Sequence, residues 1–228
     1  MEKDSLFSFI HSIPESMCSH PQPEFLYSLA KKTSEKGEIV EIGTCAGKST
    51  IALGYAQKER GGNPIITIDI YEHPDVGSNL KKAGVDMYVT RVLKRSSLVA
   101  VEWKRPIALL WIDGDHRKNG VISDIRNWSK YVIPGGFMAF HDYPSAEHGF
   151  NEVWSAVFKC VLSKPGEWRV ISDREAGSIV VFQRLEKKSL MLTKKQYFSK
   201  KLYWFKSNLR WYIEEYQAQI MKLVGKSE

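Results

Sequence analysis

The strongest constraint on this chain is an alternation between residues 38 and 183, where short apolar runs of strand length are separated by amphipathic stretches. That rhythm is what a sheet joined by crossover helices requires, because parallel strands cannot be linked by tight turns. Strands are expected over residues 39–42, 65–70, 89–94, 107–112, 136–141, 168–172 and 178–183, and helices over 24–34, 49–58, 79–83, 121–131 and 151–162. Ser49 and Thr50 suit a helix start, and Pro134-Gly135-Gly136 is expected to stop the helix before the fifth strand. The last two strands follow one another across a turn at residues 173–177, so a hairpin closes the sheet and the final strand runs antiparallel. The expected fold is α/β: a doubly wound sheet of about seven strands, mostly parallel with an antiparallel last strand. Residues 1–36 form a helical lead-in, 37–184 the sheet domain and 185–228 a helical extension.

Where ligand chemistry would sit is indicated by EIVEIGTCAGKST, residues 38–50. In open α/β sheets the ligand lies beyond the carboxyl ends of the strands, where strand order reverses. The stretch resembles the phosphate loop of nucleotide hydrolases, in which four residues separate Gly from Gly-Lys-Ser/Thr, but here only three separate Gly43 from Gly47. Asp113 would supply that reading's acidic partner. A dinucleotide reading gains Asp69 as a ribose partner but lacks the Gly-x-Gly-x-x-Gly spacing. A nucleoside ligand without a phosphate chain is the third possibility. Lys48 is expected to be a solvent-exposed helix-start residue.

VEIGTCAGKST, TIDIYE, LLWIDGDHRKNGVISDI and IPGGFMAFHDY, in this order and spacing, resemble the motifs of class I S-adenosylmethionine-dependent methyltransferases. Within that class the chain is similar to small-molecule O-methyltransferases of the catechol, caffeoyl-coenzyme A and macrolide-sugar type. The resemblance covers roughly residues 24–183 and implies a Rossmann-like fold with S-adenosylmethionine as cofactor. It places Glu41, Gly43, Thr44, Gly47 and Ser49 around the methionine moiety, Asp69 on the ribose, and Asp113 and Ser96 among the cofactor contacts. Ser96 stands in Arg95-Ser96-Ser97, where the family usually has Gly-Asp-Ser near the adenine.

The chemical end lies in IDGDH and FHDY, which put carboxylates and imidazoles just past two strand ends. The resemblance implies that Asp113, His141 and Asp142 hold a divalent metal, magnesium or manganese, although His141 departs from the family's usual acid and magnesium prefers oxygen. It implies that His116, three residues after Asp113, is the catalytic base beside Asp113; an imidazole suits proton acceptance near neutrality. Read without the family, Asp113 could cap a loop and Asp115 could hold a backbone amide of its own turn. Tyr143 and His148 are candidates for the acceptor pocket.

Composition bears on partners. The net charge is +7, yet residues 185–228 hold 10 of the 33 Lys+Arg and 4 of the 26 Asp+Glu, a net +6, so the rest carries +1. The body therefore need not present a basic face, and nucleic acid is not the expected partner. From Lys194 onward, Leu202, Phe205, Leu209, Tyr212, Tyr216, Gln219 and Leu223 recur at alternating steps of three and four, a mainly apolar seam that favours a helix packed on the body or on a second copy, hence a homo-oligomer such as a dimer. Trp204 and Trp211, among Lys200, Lys201, Lys206 and Arg210, allow a peripheral membrane contact or, as the less expected alternative, a contact with nucleic acid. Three scattered cysteines do not make a disulfide framework, and the apolar run at residues 6–10 is too short for a signal peptide or a span, so a cytoplasmic protein is expected.

Overall fold

The structure, a computed structural model, describes residues 2–14, 18–143, 151–162, 166–173 and 176–186. The tail helix from Lys194 and the pocket candidate His148 lie outside the described residues.

Among the described residues seven strands form one sheet: β1 (Glu38–Ile42), β2 (Ile65–Asp69), β3 (Val89–Leu93), β4 (Ile107–Ile112), β5 (Val132–Phe140), β6 (Trp168–Asp173) and β7 (Val180–Arg184). Their spatial order is β3-β2-β1-β4-β5-β7-β6. The first five strands pair in parallel, and β7 enters antiparallel between β5 and β6. The expected hairpin and antiparallel last strand are therefore present. Every side chain of β4 is buried, which is why its sequence is an unbroken apolar run: a central parallel strand is covered on both faces.

Helices α1 (Lys3–Ser12), α2 (Gln22–Lys31), α3 (Lys48–Arg60) and α4 (Val76–Ala83) cover one face of the sheet. There Leu6, Ile10, Leu26, Ile51 and Leu53 share a core with Leu109 and Trp111. Helices α5 (Ser96–Glu102), α6 (Lys118–Trp128) and α7 (Asn151–Val157) cover the other, where Val121, Ile125 and Trp128 meet Val40, Leu110 and Phe140. Among the described residues no helix is long and apolar enough to cross a membrane.

One expected helix stop requires correction, and one helix lacks any expectation from the sequence. Pro134-Gly135-Gly136 does not end a helix, because α6 already stops at Trp128 and a 3-10 turn (Ser129–Tyr131) follows. The motif lies inside β5, where the register jumps from Ile107↔Val132 to Leu109↔Phe137. Such a bulge takes the proline nitrogen out of the ladder, so the strand tolerates it. Helix α5 was not anticipated: seven residues without a side-chain N-cap, burying Ala100 alone, leave little periodic signal.

Candidate functional site

The order β3-β2-β1-β4 reverses direction between β1 and β4, so the carboxyl ends of these two strands flank the switch point. Backbone bonds fasten the strand ends to one another. Gly43 N donates to Ile68 O at 2.9 Å, Asp113 N to Ile42 O at 2.8 Å, and His141 N to Ile112 O at 3.1 Å. Gly43 has φ +96° and lies so close to the next strand that a Cβ would stand 2.2 Å from the Asp113 carbonyl oxygen. Only glycine satisfies both conditions.

A cleft of about 590 Å³ opens here, lined among others by Gly43, Asp69, Ser96, Asp113 and Asp124. Thr44 and Asp69 also line an adjoining recess of about 360 Å³. Asp69 Oδ2 accepts from Thr44 N at 2.8 Å and Cys45 N at 3.3 Å, and Oδ1 accepts from Tyr71 N at 3.0 Å. This carboxylate thereby fixes the first loop relative to β2. Gly47 (φ +92°) stands immediately before α3.

Glu41 and Ser49 do not reach the cleft surface. Glu41 is wholly buried behind the loop, accepting from Ser49 Oγ and Thr50 Oγ1, each at 2.6 Å. Burial pushes its carboxyl up to about 7 against the opposing pull of those hydroxyls. Both residues brace the loop from beneath. Lys48 begins α3 as expected but is buried at 8% exposure, so the solvent-exposed reading is corrected.

Four side chains converge past β4 and β5. Asp113 Oδ1 lies 2.9 Å from His141 Nδ1 and 3.2 Å from His116 Nε2, while Asp142 Oδ2 lies 3.4 Å from His116 Nδ1. Asp113, His116 and His141 offer ligand atoms within 4.8 Å of one another; Asp142 stands beside them, its Oδ1 3.4 Å from His141 Nδ1. Burial works to raise the Asp113 carboxyl, but the two imidazoles outweigh it and hold it below the ordinary value. His116 is raised, first by its hydrogen bond to Asp113 and against its own burial. Burial works to lower His141, and Asp113 and Asp142 reverse that into a net rise. The motif's other acid, Asp115, accepts from Arg117 N at 3.0 Å and pairs with the Arg117 guanidinium, and so belongs to its turn.

Sequence reasoning missed Gln22, 119 positions from His141, because nothing local announces so distant a contact. Ser19 N donates to Gln22 Oε1 at 2.8 Å, and Gln22 Nε2 donates to Ser178 Oγ at 3.1 Å, which fixes the orientation of the amide. Gln22 Oε1, 3.1 Å from His141 Nε2, therefore accepts the imidazole proton. Neutral His141 would then turn a lone pair from Nδ1 toward two carboxylates, an arrangement that requires either a second proton or a cation. His141 Nδ1 and Asp142 Oδ2 are both buried without an aligned hydrogen-bond partner, so the residues present fit a divalent metal. The mixed nitrogen and oxygen donors suit manganese, iron or zinc better than magnesium. Also unforeseen was Asp124, which accepts from Ser96 Oγ at 2.5 Å and whose burial raises it to about 6. Tyr143, a pocket candidate from the sequence, is instead wholly buried in the core under the sheet.

The strand order, the glycine loop at the switch point and the acid ending β2 define an open α/β sheet whose ligand crevice lies at the carboxyl ends of β1 and β4. Residues 40–143 match a family model described as a methyltransferase domain. Similar folds include the O-methyltransferase TomG of Streptomyces achromogenes, solved with S-adenosylmethionine (19% identity, 81% of this chain and 91% of that one, TM-score 0.59). An O-methyltransferase of Bacillus cereus in complex with S-adenosylhomocysteine matches at 18% identity over 81% and 92%, TM-score 0.59. The Podospora anserina methyltransferase PaMTH1, bound to S-adenosylhomocysteine, matches at 16% over 80% and 88%, TM-score 0.63. In sequence, the chain is 29% identical over 157 residues to the uncharacterized protein R132 of Acanthamoeba polyphaga mimivirus; the match covers 64% of this chain and 65% of that relative's length.

Proposed function

We propose that the protein is an O-methyltransferase that moves the methyl group of S-adenosylmethionine to a hydroxyl of a small acceptor, such as a sugar or a secondary metabolite. The observation that carries this reading is the cluster of Asp113, His116, His141 and Asp142 beside the cofactor cleft, to whose lining Asp113 contributes. His116 is the base: it takes the acceptor proton, and Asp113 and Asp142 on either side stabilise the imidazolium that forms. The acceptor oxygen bonds to the methyl carbon as the carbon–sulfur bond breaks, and its electron pair stays on sulfur. Asp113, His141 and Asp142 are the residues that would hold a divalent metal, which when bound supplies polarisation of the acceptor hydroxyl. In the cleft, Gly43, Asp69 and Ser96 are assigned to the cofactor; Glu41, Thr44, Gly47 and Ser49 shape its loop.

Calorimetry with S-adenosylhomocysteine and with ATP tests the cofactor: binding of the first alone is expected, and binding of ATP alone would sink the reading. The division of labour in the cluster is tested by two variants. His116→Gln is expected to lose methyl transfer by about a hundredfold or more while keeping metal affinity, and Asp142→Asn is expected to weaken manganese binding.

We propose further that residues 187–228 pair two copies of the chain, an arrangement supported by the apolar seam and basic flanks of that segment.

A further inference from the structure

We propose that His11, His20 and Glu24 form a second metal site, separate from the strand-end cluster, that takes a divalent transition metal such as zinc. His11 lies in the last turn of α1, His20 in the connection, and Glu24 in the first turn of α2. Glu24 Oε1 is 2.7 Å from His11 Nε2 and 3.6 Å from His20 Nε2, and the two imidazole centroids are 5.0 Å apart. One donor atom from each residue falls within 4.8 Å of the others.

Glu24 Oε2 is the decisive atom. It is buried and has no hydrogen-bond partner among the described residues. A carboxylate oxygen withdrawn from water without a partner is costly, and a cation seated between the three side chains removes that cost. Two imidazoles with one carboxylate select a borderline metal over magnesium or calcium, which prefer all-oxygen sets. Donors bound to tetrahedral zinc stand roughly 3.3 Å apart. His20 is already near that spacing from Glu24, and His11 reaches it by moving about half an ångström. The same three residues help line a cavity of about 370 Å³, which leaves room for a water in the fourth position.

The site acts as a clip rather than a reaction centre. It ties α1 to the start of α2, and Gln22, which holds His141, stands between two of its ligands. Filling the clip therefore steadies the segment that orients His141.

The test uses the full chain carrying Asp113→Asn and Asp142→Asn, which remove two of the three metal-holding residues of the strand-end cluster, with circular dichroism confirming the fold. Titrated with cobalt(II) alone, this protein is expected to bind one equivalent, with the intense visible absorption of a low-coordinate site, and zinc is expected to displace it. Adding His20→Ala is expected to weaken binding more than about tenfold; because His20 is 73% exposed, this change leaves the core intact. Glu24→Gln is expected to do the same. Absence of cobalt binding, or equal affinity with and without His20→Ala and Glu24→Gln, would overturn the proposal.

Discussion

Gly43 concentrates the demands on this site in one position. It needs a left-handed backbone and tolerates no Cβ, since that atom would strike the carbonyl of Asp113. Gly43→Ala should therefore displace the strand end bearing Asp113, and calorimetry should find S-adenosylhomocysteine affinity reduced by about a hundredfold or more. Glu41 makes a prediction with a pH signature. Its folded value near 7 lies above the ordinary 4.5, so the native state holds the proton more tightly than the unfolded chain does. That contribution is complete below about pH 4.5 and is lost as pH rises through 7, a decline of about 3 kcal/mol. Melting temperature measured from pH 5 to 8 should fall less steeply in Glu41→Gln than in the wild type; parallel profiles would refute the assignment.

At the scale of elements, much was legible in the chain because burial writes itself into pattern. The run at β4 was read to its observed bounds, since a strand covered on both faces has no polar interruption. The helix after the glycine loop was legible from its starting residues, and its end is marked by Gly61 at φ +63°. Asp113, His116, His141 and Asp142 could be seen as two strand-end clusters, and adjacency of β4 and β5 is what joins them. What the sequence could not disclose is anything carried by contacts between distant segments. The fastening of Asp69 to the loop, the burial of Glu41 and the reach of α2 to His141 all depend on the assembled sheet. Gln22→Ala measures the last of these. It removes the acceptor for the His141 Nε2 proton, and methyl transfer should fall by about tenfold with S-adenosylhomocysteine affinity unchanged. A matching loss of cofactor affinity would mean that α2 merely supports the fold.

For the whole molecule, charge and architecture separate cleanly. The sheet domain is nearly neutral, and the positive charge gathers in a segment beyond β7. A chain ending at residue 186 is expected to remain folded and to bind S-adenosylhomocysteine, while light scattering should find it monomeric where the full chain is dimeric. Equal masses for the two would refute the proposed pairing.

The place of β7 has a consequence for how the protein comes into being on the ribosome. The last strand made among the described residues is not the last in space: it pairs with both β5 and β6. Until it emerges, β5 presents a long apolar strand with an open edge, and β6 has no partner in the sheet. An unpaired edge of that kind is a template for association with other chains. A message truncated just before residue 176 would thus yield more than an inactive protein. It would yield one that also lacks Ser178, the contact of Gln22 and Asp142, and that exposes a surface suited to aggregation. Completion of the site and protection of the nascent chain depend on the same few residues.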